Sequence, residues 1–307
     1  MITHYFKTLK DSELKVLDAI RTGVWTHMVA PTDEELEQIV GEYGLDPLIV
    51  EDALDFFEVP RMEKSGSATY FFTRYPFDDK NEDIDTAPLL IVVGESFVLT
   101  LAQREVPQFT SFTSGKVEIQ TTQKAKFFIQ IMDVLTKSFE SELIRLRKAV
   151  HRNRAQLRKI GNREIERLVN YEHTLNDMVA SVVPTNLWLQ QVTKGNYMQL
   201  FQEDVELMED LMIDNSQLVD SARSVLKTIQ NIRTATESIL TNRLNTTMRR
   251  LTIFTIILTI PTVIASLYGM NVSIPLENNP FAFWIILVFI VLVVLVTVLT
   301  FKKSDLL

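Results

Sequence analysis

Two long apolar segments lie near the C-terminal end of the chain, and they differ in length and in polar content. Segment 281–301 carries no charged residue and as a helix would measure roughly 30 Å, enough to cross the hydrocarbon core of a bilayer. Segment 251–267 also lacks charge, but it is shorter and contains threonines. A soluble helix that is apolar all round for this length would need a much larger protein to bury it. The pattern therefore predicts two transmembrane helices.

The N-terminal third of the chain alternates between strand-like and helix-like patterns. Four apolar runs are typical of β-strands, at 23–30, 68–75, 89–93 and 97–102. Between the first two runs lie helical segments 32–43 and 46–56, and Thr32 is suited to cap the first of them. Residues 80–85 and 109–115 have the polar character of solvated loops. The predicted fold class of this part is α/β.

From about Thr122 onward the apolar positions are spaced by three or four residues, which predicts a layer of long amphipathic helices. Gly161 and Asn162 mark one break in this layer, and residues 194–196 mark another. Between the two breaks, Pro184 should kink or interrupt the helix.

A single long helix is predicted from 197 to 267, because neither Pro nor Gly occurs between Asn196 and Pro261. It would measure on the order of 100 Å, more than a domain needs, so it should leave the soluble part as a stalk and become the first membrane span. Its apolar residues keep close to a 3.5-residue repeat, which favours packing against copies of itself. They are Phe201, Met208, Leu211, Leu218, Ala222, Val225, Ile229, Ile232 and Ile239.

Basic residues near the ends of the spans predict their orientation. Arg243, Arg249 and Arg250 precede the first span and Lys302 and Lys303 follow the second, whereas the connecting loop has no Lys or Arg. By the positive-inside rule both termini are cytoplasmic. The first residues lack the apolar core of a signal peptide, and the absence of cysteine fits a reducing compartment.

The predicted organisation has seven parts. They are a cytosolic α/β domain (1–120), a helical layer (121–195), a stalk helix (196–250), a first span (251–267), an extracellular loop (268–280), a second span (281–301) and a basic tail (302–307).

A polar stripe follows one face of the stalk and first span at alternating spacings of three and four residues. Its members are Thr241, Asn245, Met248, Thr252, Thr255, Thr259, Thr262 and Ser266. Polar groups in membrane helices usually face a bundle interior or a water-filled path, which predicts a pore-lining face. Alternatively, the threonines bond back to their own helix, and small residues let neighbouring helices pack closely. Asn245 favours the pore, since a ring of amide oxygens suits a hard cation or its water shell.

Two spans cannot enclose a channel, so the pore requires a homo-oligomer with cyclic symmetry.

The residues that follow the first span, Tyr268, Gly269, Met270 and Asn271, form the sequence YGMN. Asn245 and Met248 upstream form an N-x-x-M pattern, and PLIVEDALD stands at 47–55. With the long stalk helix and the α/β start, these motifs make the chain similar to the CorA family over nearly its whole length. The loop after the motif departs from the family's usual Met-Pro-Glu-Leu, since Ser273, Ile274, Pro275, Leu276 and Glu277 stand there.

The resemblance implies a funnel-shaped homopentamer that imports Mg2+, and often Co2+ or Ni2+, without an organic cofactor. The first span would line the pore and the second would form an outer, lipid-facing ring. Tyr268, Gly269, Met270 and Asn271 would form the outer ion filter, with Asn271 holding the hydrated ion. Further in, Met248 and Leu251 would form an apolar constriction that gates by dewetting.

The resemblance also implies metal-sensing carboxylates between neighbouring subunits. Asp52 in VEDAL and Asp210 on the stalk match such a pair, and Glu51 and Asp214 are further candidates. Without the family, the acidic run 203–214 reads as a solvated helix face.

Two other functions remain open at this stage. One is transport of Zn2+ or Co2+ by the same architecture, because a zinc-transporting branch shares the GMN motif. The other is a membrane-tethered sensor or scaffold whose spans only anchor it, although a mere anchor needs neither the threonine stripe nor the motif. The chain contains no phosphate-binding loop, nucleophile elbow or His/Cys cluster, so an enzyme is not predicted. Its net charge of -8 argues against nucleic-acid binding.

Overall fold

The computed structural model describes residues 1–78, 84–155, 162–195, 197–271, 275 and 279–303. These residues form two compact units, Met1–Ile232 and Arg233–Leu307.

A seven-stranded sheet is the centre of the first unit. Its strands are β1 (Ile2–Phe6), β2 (Lys15–Leu17), β3 (Val24–Val29), β4 (Met62–Ser65), β5 (Ala68–Asp78), β6 (Ile84–Val93) and β7 (Phe97–Ala102). The strand order is β2-β1-β3-β7-β6-β5-β4, with one parallel pair, β3 and β7. Both faces of the central strands are buried, which explains why they read as continuous apolar runs in the sequence.

Two short helices cover one face of the sheet. Helix α1 (Asp33–Tyr43) begins with a capping box, in which Thr32 and Glu35 each accept the other's backbone N–H. Helix α2 (Pro47–Asp52) is capped by Asp46 and ends sooner than the segment 46–56 that the sequence predicts. Ile39 of α1 and Val50 of α2 pack with Tyr70, Phe72 and Leu90 of the sheet.

Three long helices supply the layer on the other face. They are α4 (Lys124–Ala155), α5 (Asn162–Lys194) and the N-terminal half of α6 (Gln202–Tyr268). Phe71 of β5 stacks against Phe128 of α4 with ring centroids 4.5 Å apart, and against Trp188 of α5 at 5.2 Å. The sheet therefore lies between two helical layers. Helix α5 continues through Pro184, which does not interrupt it.

The structure differs from the predictions in two loops and three short strands, and one of these loops lies mostly outside the described residues. Segment 109–115, predicted as a solvated loop, contains a 3-10 turn (Pro107–Phe109) and helix α3 (Thr110–Thr113), because Phe109 and Phe112 are buried against Trp25. Strands β1, β2 and β4 were not predicted. Most of the loop predicted at 80–85 lies outside the described residues, and its last two residues belong to β6.

The 3.5-residue repeat of the stalk is buried within the chain, so the prediction that this seam packs against copies of itself is wrong. Leu218, Ala222, Val225, Ile229 and Ile232 pack with apolar residues of α4 and α5. Hydrogen bonds reinforce the contact, from Thr136 of α4 to Asn215 (2.9 Å) and from Asn186 of α5 to Ser216 (3.1 Å). Phe201, at the start of the repeat, is exposed.

The second unit contains the C-terminal part of α6 and helix α7 (Ala282–Lys303). Both helices are long and apolar enough to cross a membrane. In α7 the partly covered residues follow one stripe: Ala282, Ile286, Ile290, Val293, Val294, Thr297, Val298 and Phe301. In α6 the covered stripe consists of Ile253, Ile257, Ile260, Pro261, Ile264 and Tyr268. These two helices are the only described elements of this unit, and we infer from the covered stripes that these are the faces on which the helices pack together.

Candidate functional site

The threonines of the predicted pore stripe lie on an exposed face of α6. Each threonine hydroxyl donates its hydrogen to the carbonyl oxygen one turn earlier, over 2.8–2.9 Å. These bonds are made by Thr252, Thr255, Thr259 and Thr262. The alternative prediction, in which the threonines bond back to their own helix, is therefore correct for the hydroxyl hydrogens. Because the hydrogen is used in this way, the exposed oxygen offers only its lone pairs to the surroundings.

This threonine face is turned away from α7. Residues two positions apart in a helix lie about 160° apart around its axis, so Thr255 points away from both Ile253 and Ile257, the centre of the covered stripe. All four threonines and Ser266 are exposed, whereas Ile253 is buried. One side of α6 thus packs on the second span, and the opposite, oxygen-bearing side has no covering element within the described residues.

Below the threonines the same face of α6 becomes apolar. Met248 and Leu251, the predicted constriction, are exposed by 55% and 59%. Leu244 and Leu240 continue their stripe at four-residue intervals and are exposed by 62% and 47%. These two leucines are not among the predicted pore residues, although their spacing from Met248 is a signal that indicates them. Asn245 lies beside this stripe and is exposed as well.

The YGMN residues end α6 and begin the turn that follows. The last helical residue is Tyr268, which is partly covered, while Gly269, Met270 and Asn271 are exposed. The Gly269 N–H donates to the carbonyl oxygens of Ala265 (3.0 Å) and Ser266 (3.2 Å). The backbone of Gly269 does not adopt a positive φ, and a Cβ there would make ordinary contacts of 3.5 Å. The fold of one chain therefore does not require glycine at this position. The departures from the family pattern at 273, 274, 276 and 277 lie outside the described residues.

Asp52, a predicted sensor residue, lies at the end of α2 and is engaged in an ion pair. Its Oδ2 accepts from Nη2 of Arg61 at 2.6 Å, and half of its side chain is exposed. The neighbouring Glu51 is also exposed.

A second arginine fixes the chain that follows α2. Arg74 of β5 donates to the carbonyl oxygens of Phe56 (3.0 Å), Glu58 (2.7 Å) and Thr86 (2.6 Å). Burial lowers the pKa of the Arg74 guanidinium below its usual range, with Asp85 opposing that effect. The segment that joins α2 to β4 is therefore attached to the sheet through its backbone, shortly after Asp52.

The acidic residues at the start of α6 have different roles. Asp210 and Asp214 are exposed, as expected for either a solvated face or a site that another subunit completes. Asp204 is buried and accepts the backbone N–H of Phe201 at 3.0 Å, as the third helical residue of a capping box does. Within the described parts of one chain, no three His, Asp or Glu side chains are grouped so that they could hold a metal ion. The structure does not bring Asp52 and Asp210 together into such a group.

Comparison with known proteins gives matches that cover between 79% and 99% of this chain. The cobalt/magnesium transport protein CorA of Methanocaldococcus jannaschii is 27% identical over 292 residues, covering 92% of this chain and 90% of that protein. The complete structure of the CorA magnesium transporter from the same organism superposes with a TM-score of 0.87 at 23% identity, over 99% of this chain and 98% of that one. The ZntB cytoplasmic domain from Vibrio parahaemolyticus RIMD 2210633 shares the fold at 10% identity, with a TM-score of 0.64 over 79% of this chain and 98% of that one.

A family model described as CorA-like Mg2+ transporter protein matches residues 21–303. That match spans both units, from the sheet to the end of α7. The chain belongs to the family of CorA-like Mg2+ transporter proteins.

Proposed function

We propose that the chain is one subunit of a homopentameric channel that admits Mg2+ into the cell down its electrochemical gradient. The observation that carries this proposal is the exposed threonine face of α6, opposite the face that packs on α7. In a bilayer an uncovered row of hydroxyl oxygens is costly unless it meets water or protein. Cyclic assembly with α6 innermost would give this face a water-filled axis and would leave α7 outside, against lipid.

The chemistry of this face suits a hydrated divalent cation. Mg2+ gives up its water reluctantly, and its first-shell waters present hydrogens outward. The threonine oxygens have already used their hydrogens within the helix, so they act as acceptors for those waters. Asn245 and Asn271 would add amide oxygens at the two ends of the path. Neutral oxygen ligands favour a hard cation such as Mg2+ over Zn2+, which prefers imidazole and thiolate ligands.

Transport in this direction needs no coupled energy source. By the positive-inside rule, the distribution of Arg and Lys favours a cytoplasmic position for both termini, and the cell interior is electrically negative. For a doubly charged ion a potential of 100 mV contributes about 4.6 kcal/mol toward entry.

Cytosolic Mg2+ itself would close the channel by binding between subunits. Asp52 and Asp210 are the proposed ligands, with Glu51 and Asp214 as additional carboxylates. All four are exposed in one chain, which leaves them accessible to a neighbouring subunit. Facing carboxylates repel each other, and Mg2+ that bridges them would stabilise the symmetric, closed assembly through its differential binding. Import would thus limit itself as internal Mg2+ rises.

Flux through the purified protein tests the proposal and its alternatives together. Reconstituted in liposomes with an inside-negative potential, the protein should admit Mg2+, and Co2+ should compete with it. Zn2+ flux that exceeds Mg2+ flux would favour the zinc alternative. No flux of any divalent ion at low internal Mg2+, in protein shown to be pentameric, would leave only the anchored sensor or scaffold.

A further inference from the structure

The guanidinium of Arg61 lies between three carboxylates and an aromatic ring. Besides Asp52, it contacts Oε1 of Glu63 from Nε at 2.6 Å, and it forms an ion pair with Glu58. Its carbon Cζ lies 4.0 Å from the centre of the Phe72 ring. Only 28% of the arginine side chain is exposed, so the guanidinium is partly desolvated as well as held by these contacts. Planar guanidinium groups are suited to both stacking and multidentate pairing.

The three carboxylates differ in how accessible they are to an incoming cation. The side chain of Glu58 is exposed by 13%, that of Glu63 by 39% and that of Asp52 by 52%. Asp52 is therefore the partner most open to solvent and to a neighbouring subunit. A metal ion that binds Asp52 would compete with Arg61 for this carboxylate, because a cation at Oδ2 would lie close to the Nη2 donor and repel the positively charged guanidinium.

We infer that Arg61 is an internal competitor for the cation site at Asp52 and so sets the Mg2+ concentration at which the channel closes. This inference rests on the proposed function, in which Asp52 binds regulatory Mg2+. Without metal, Arg61 neutralises Asp52 and lowers the affinity of that carboxylate for a divalent ion. When Mg2+ binds, Arg61 releases Asp52 but keeps Glu58, Glu63 and Phe72. The exchange therefore breaks one ion pair of three and leaves the guanidinium close enough to return.

The test is a Mg2+ titration of the full-length protein in detergent, with resistance to chymotrypsin as the readout. Chymotrypsin is chosen because replacing Arg61 would itself remove a trypsin site. Arg61→Gln should lower the Mg2+ concentration for half-maximal protection roughly two- to fivefold, the range that corresponds to a partly exposed ion pair. Arg61→Lys, which keeps the charge but loses the planar fork, should give a smaller change in the same direction.

Arg21 provides a matched control. Its guanidinium stacks on Phe6 at 4.1 Å, and among the residues that the structure describes it has no ion-pair partner. Arg21→Gln should leave the Mg2+ midpoint unchanged. The melting temperature without Mg2+ distinguishes competition at Asp52 from a purely structural role of Arg61. If Arg61 only stabilised the fold, Arg61→Gln would lower the melting temperature and leave the Mg2+ midpoint unchanged.

Asp52→Asn separates failure of this inference from failure of the proposed function. If Arg61 acts through Asp52, the shift caused by Arg61→Gln disappears in the double variant. If Asp52→Asn raises the midpoint while Arg61→Gln leaves it unchanged or raises it, Arg61 is not a competitor and the sensor assignment stands. If Asp52→Asn leaves the midpoint unchanged, the sensor assignment fails and the role of Arg61 fails with it.

Discussion

Thr259 donates its hydroxyl hydrogen to the carbonyl oxygen of Thr255, 2.8 Å away in the preceding turn of α6. Thr255 makes the same bond to Leu251, so the hydroxyls form a repeated pattern along one exposed face. These hydrogen bonds from the threonine hydroxyls to the helix backbone are therefore compatible with a pore-lining role. The hydrogens satisfy the helix, and the oxygens remain available as acceptors.

Single cysteines test whether this face meets water. The chain has no cysteine, so Thr252→Cys, Thr255→Cys and Thr259→Cys each introduce one thiol. We expect these thiols to react with a small charged methanethiosulfonate in liposomes and to block Mg2+ flux. Phe254→Cys, an exposed position outside the stripe, should react far more slowly, because it would face lipid. Equal labelling of the two sets would contradict the pore assignment.

The apolar part of the face should control leakage. Replacing Leu244 by Ser introduces a polar group into a constriction that is proposed to exclude water, so we expect Mg2+ entry at internal concentrations that close the wild-type channel. Leu207→Ser, on an exposed turn of α6 in the first unit, is the control and should close normally. Normal closure of the Leu244 variant would limit the constriction to Met248 and Leu251.

The outer motif should tolerate substitution in folding but not in transport. Since a Cβ at Gly269 meets only ordinary contacts within one chain, Gly269→Ala should express and assemble as the wild type does. We expect it nevertheless to reduce Mg2+ flux at least about tenfold, because neighbouring copies would approach closely there. Asn271→Ala should abolish uptake with assembly intact. Wild-type flux in either variant, measured in liposomes, would remove that residue from the filter.

The sensor carboxylates should couple Mg2+ to protease resistance. Added Mg2+ should protect wild-type protein from trypsin, since the ion stabilises the state that binds it. The Asp52→Ala/Asp210→Ala protein should lose most of this protection and conduct at internal Mg2+ levels that close the wild type. Asp220→Ala, an exposed carboxylate further along α6, is the control. Protection of the double variant at the wild-type Mg2+ concentration would show that these residues are not the sensor.

Acid should weaken the first unit through His27. Burial lowers the pKa of His27 to about 4, against 6.5 for a free side chain. Between these values the unfolded chain binds the proton more readily, so stability is complete above about pH 6.5 and falls as the pH approaches 4. Between pH 7.5 and pH 5 the free energy of unfolding of His27→Gln, which can keep the bond to Thr100, should fall by roughly 2 kcal/mol less than that of wild type. Parallel melting curves would refute this role.

The sequence predicted the elements whose pattern is strong and local. Strands β5 and β7 are long apolar runs, and Thr32 with Glu35 forms the capping box that its spacing indicates. Strand β2 has only three residues, which are exposed or partly exposed, so it carries no periodic signal. The buried 3-10 turn and α3 were missed because their apolar residues, Phe109 and Phe112, stand among polar ones.

Periodicity alone did not identify what each face contacts. The heptad repeat of α6 is satisfied by α4 and α5 of the same chain, although the same spacing would suit a coiled coil of copies. The pairing of Asp52 with Arg61 joins residues nine positions apart across a turn, and no local rule predicts it. By contrast, the face of the threonine stripe follows directly from helical spacing.

Between Glu237 and Thr252 the side chains of α6 are exposed in the isolated chain, apart from the partly covered Ile239. A helix segment of this length is only marginally stable in water unless other groups pack against it. In a separated subunit this stretch should therefore open more often than the packed parts of α6, and its backbone amides should exchange with solvent deuterium faster than theirs. Assembly would slow that exchange by covering Leu240 and Leu244. The secondary structure of this segment thus depends on quaternary structure, and its exchange rate would report how tightly the subunits are joined.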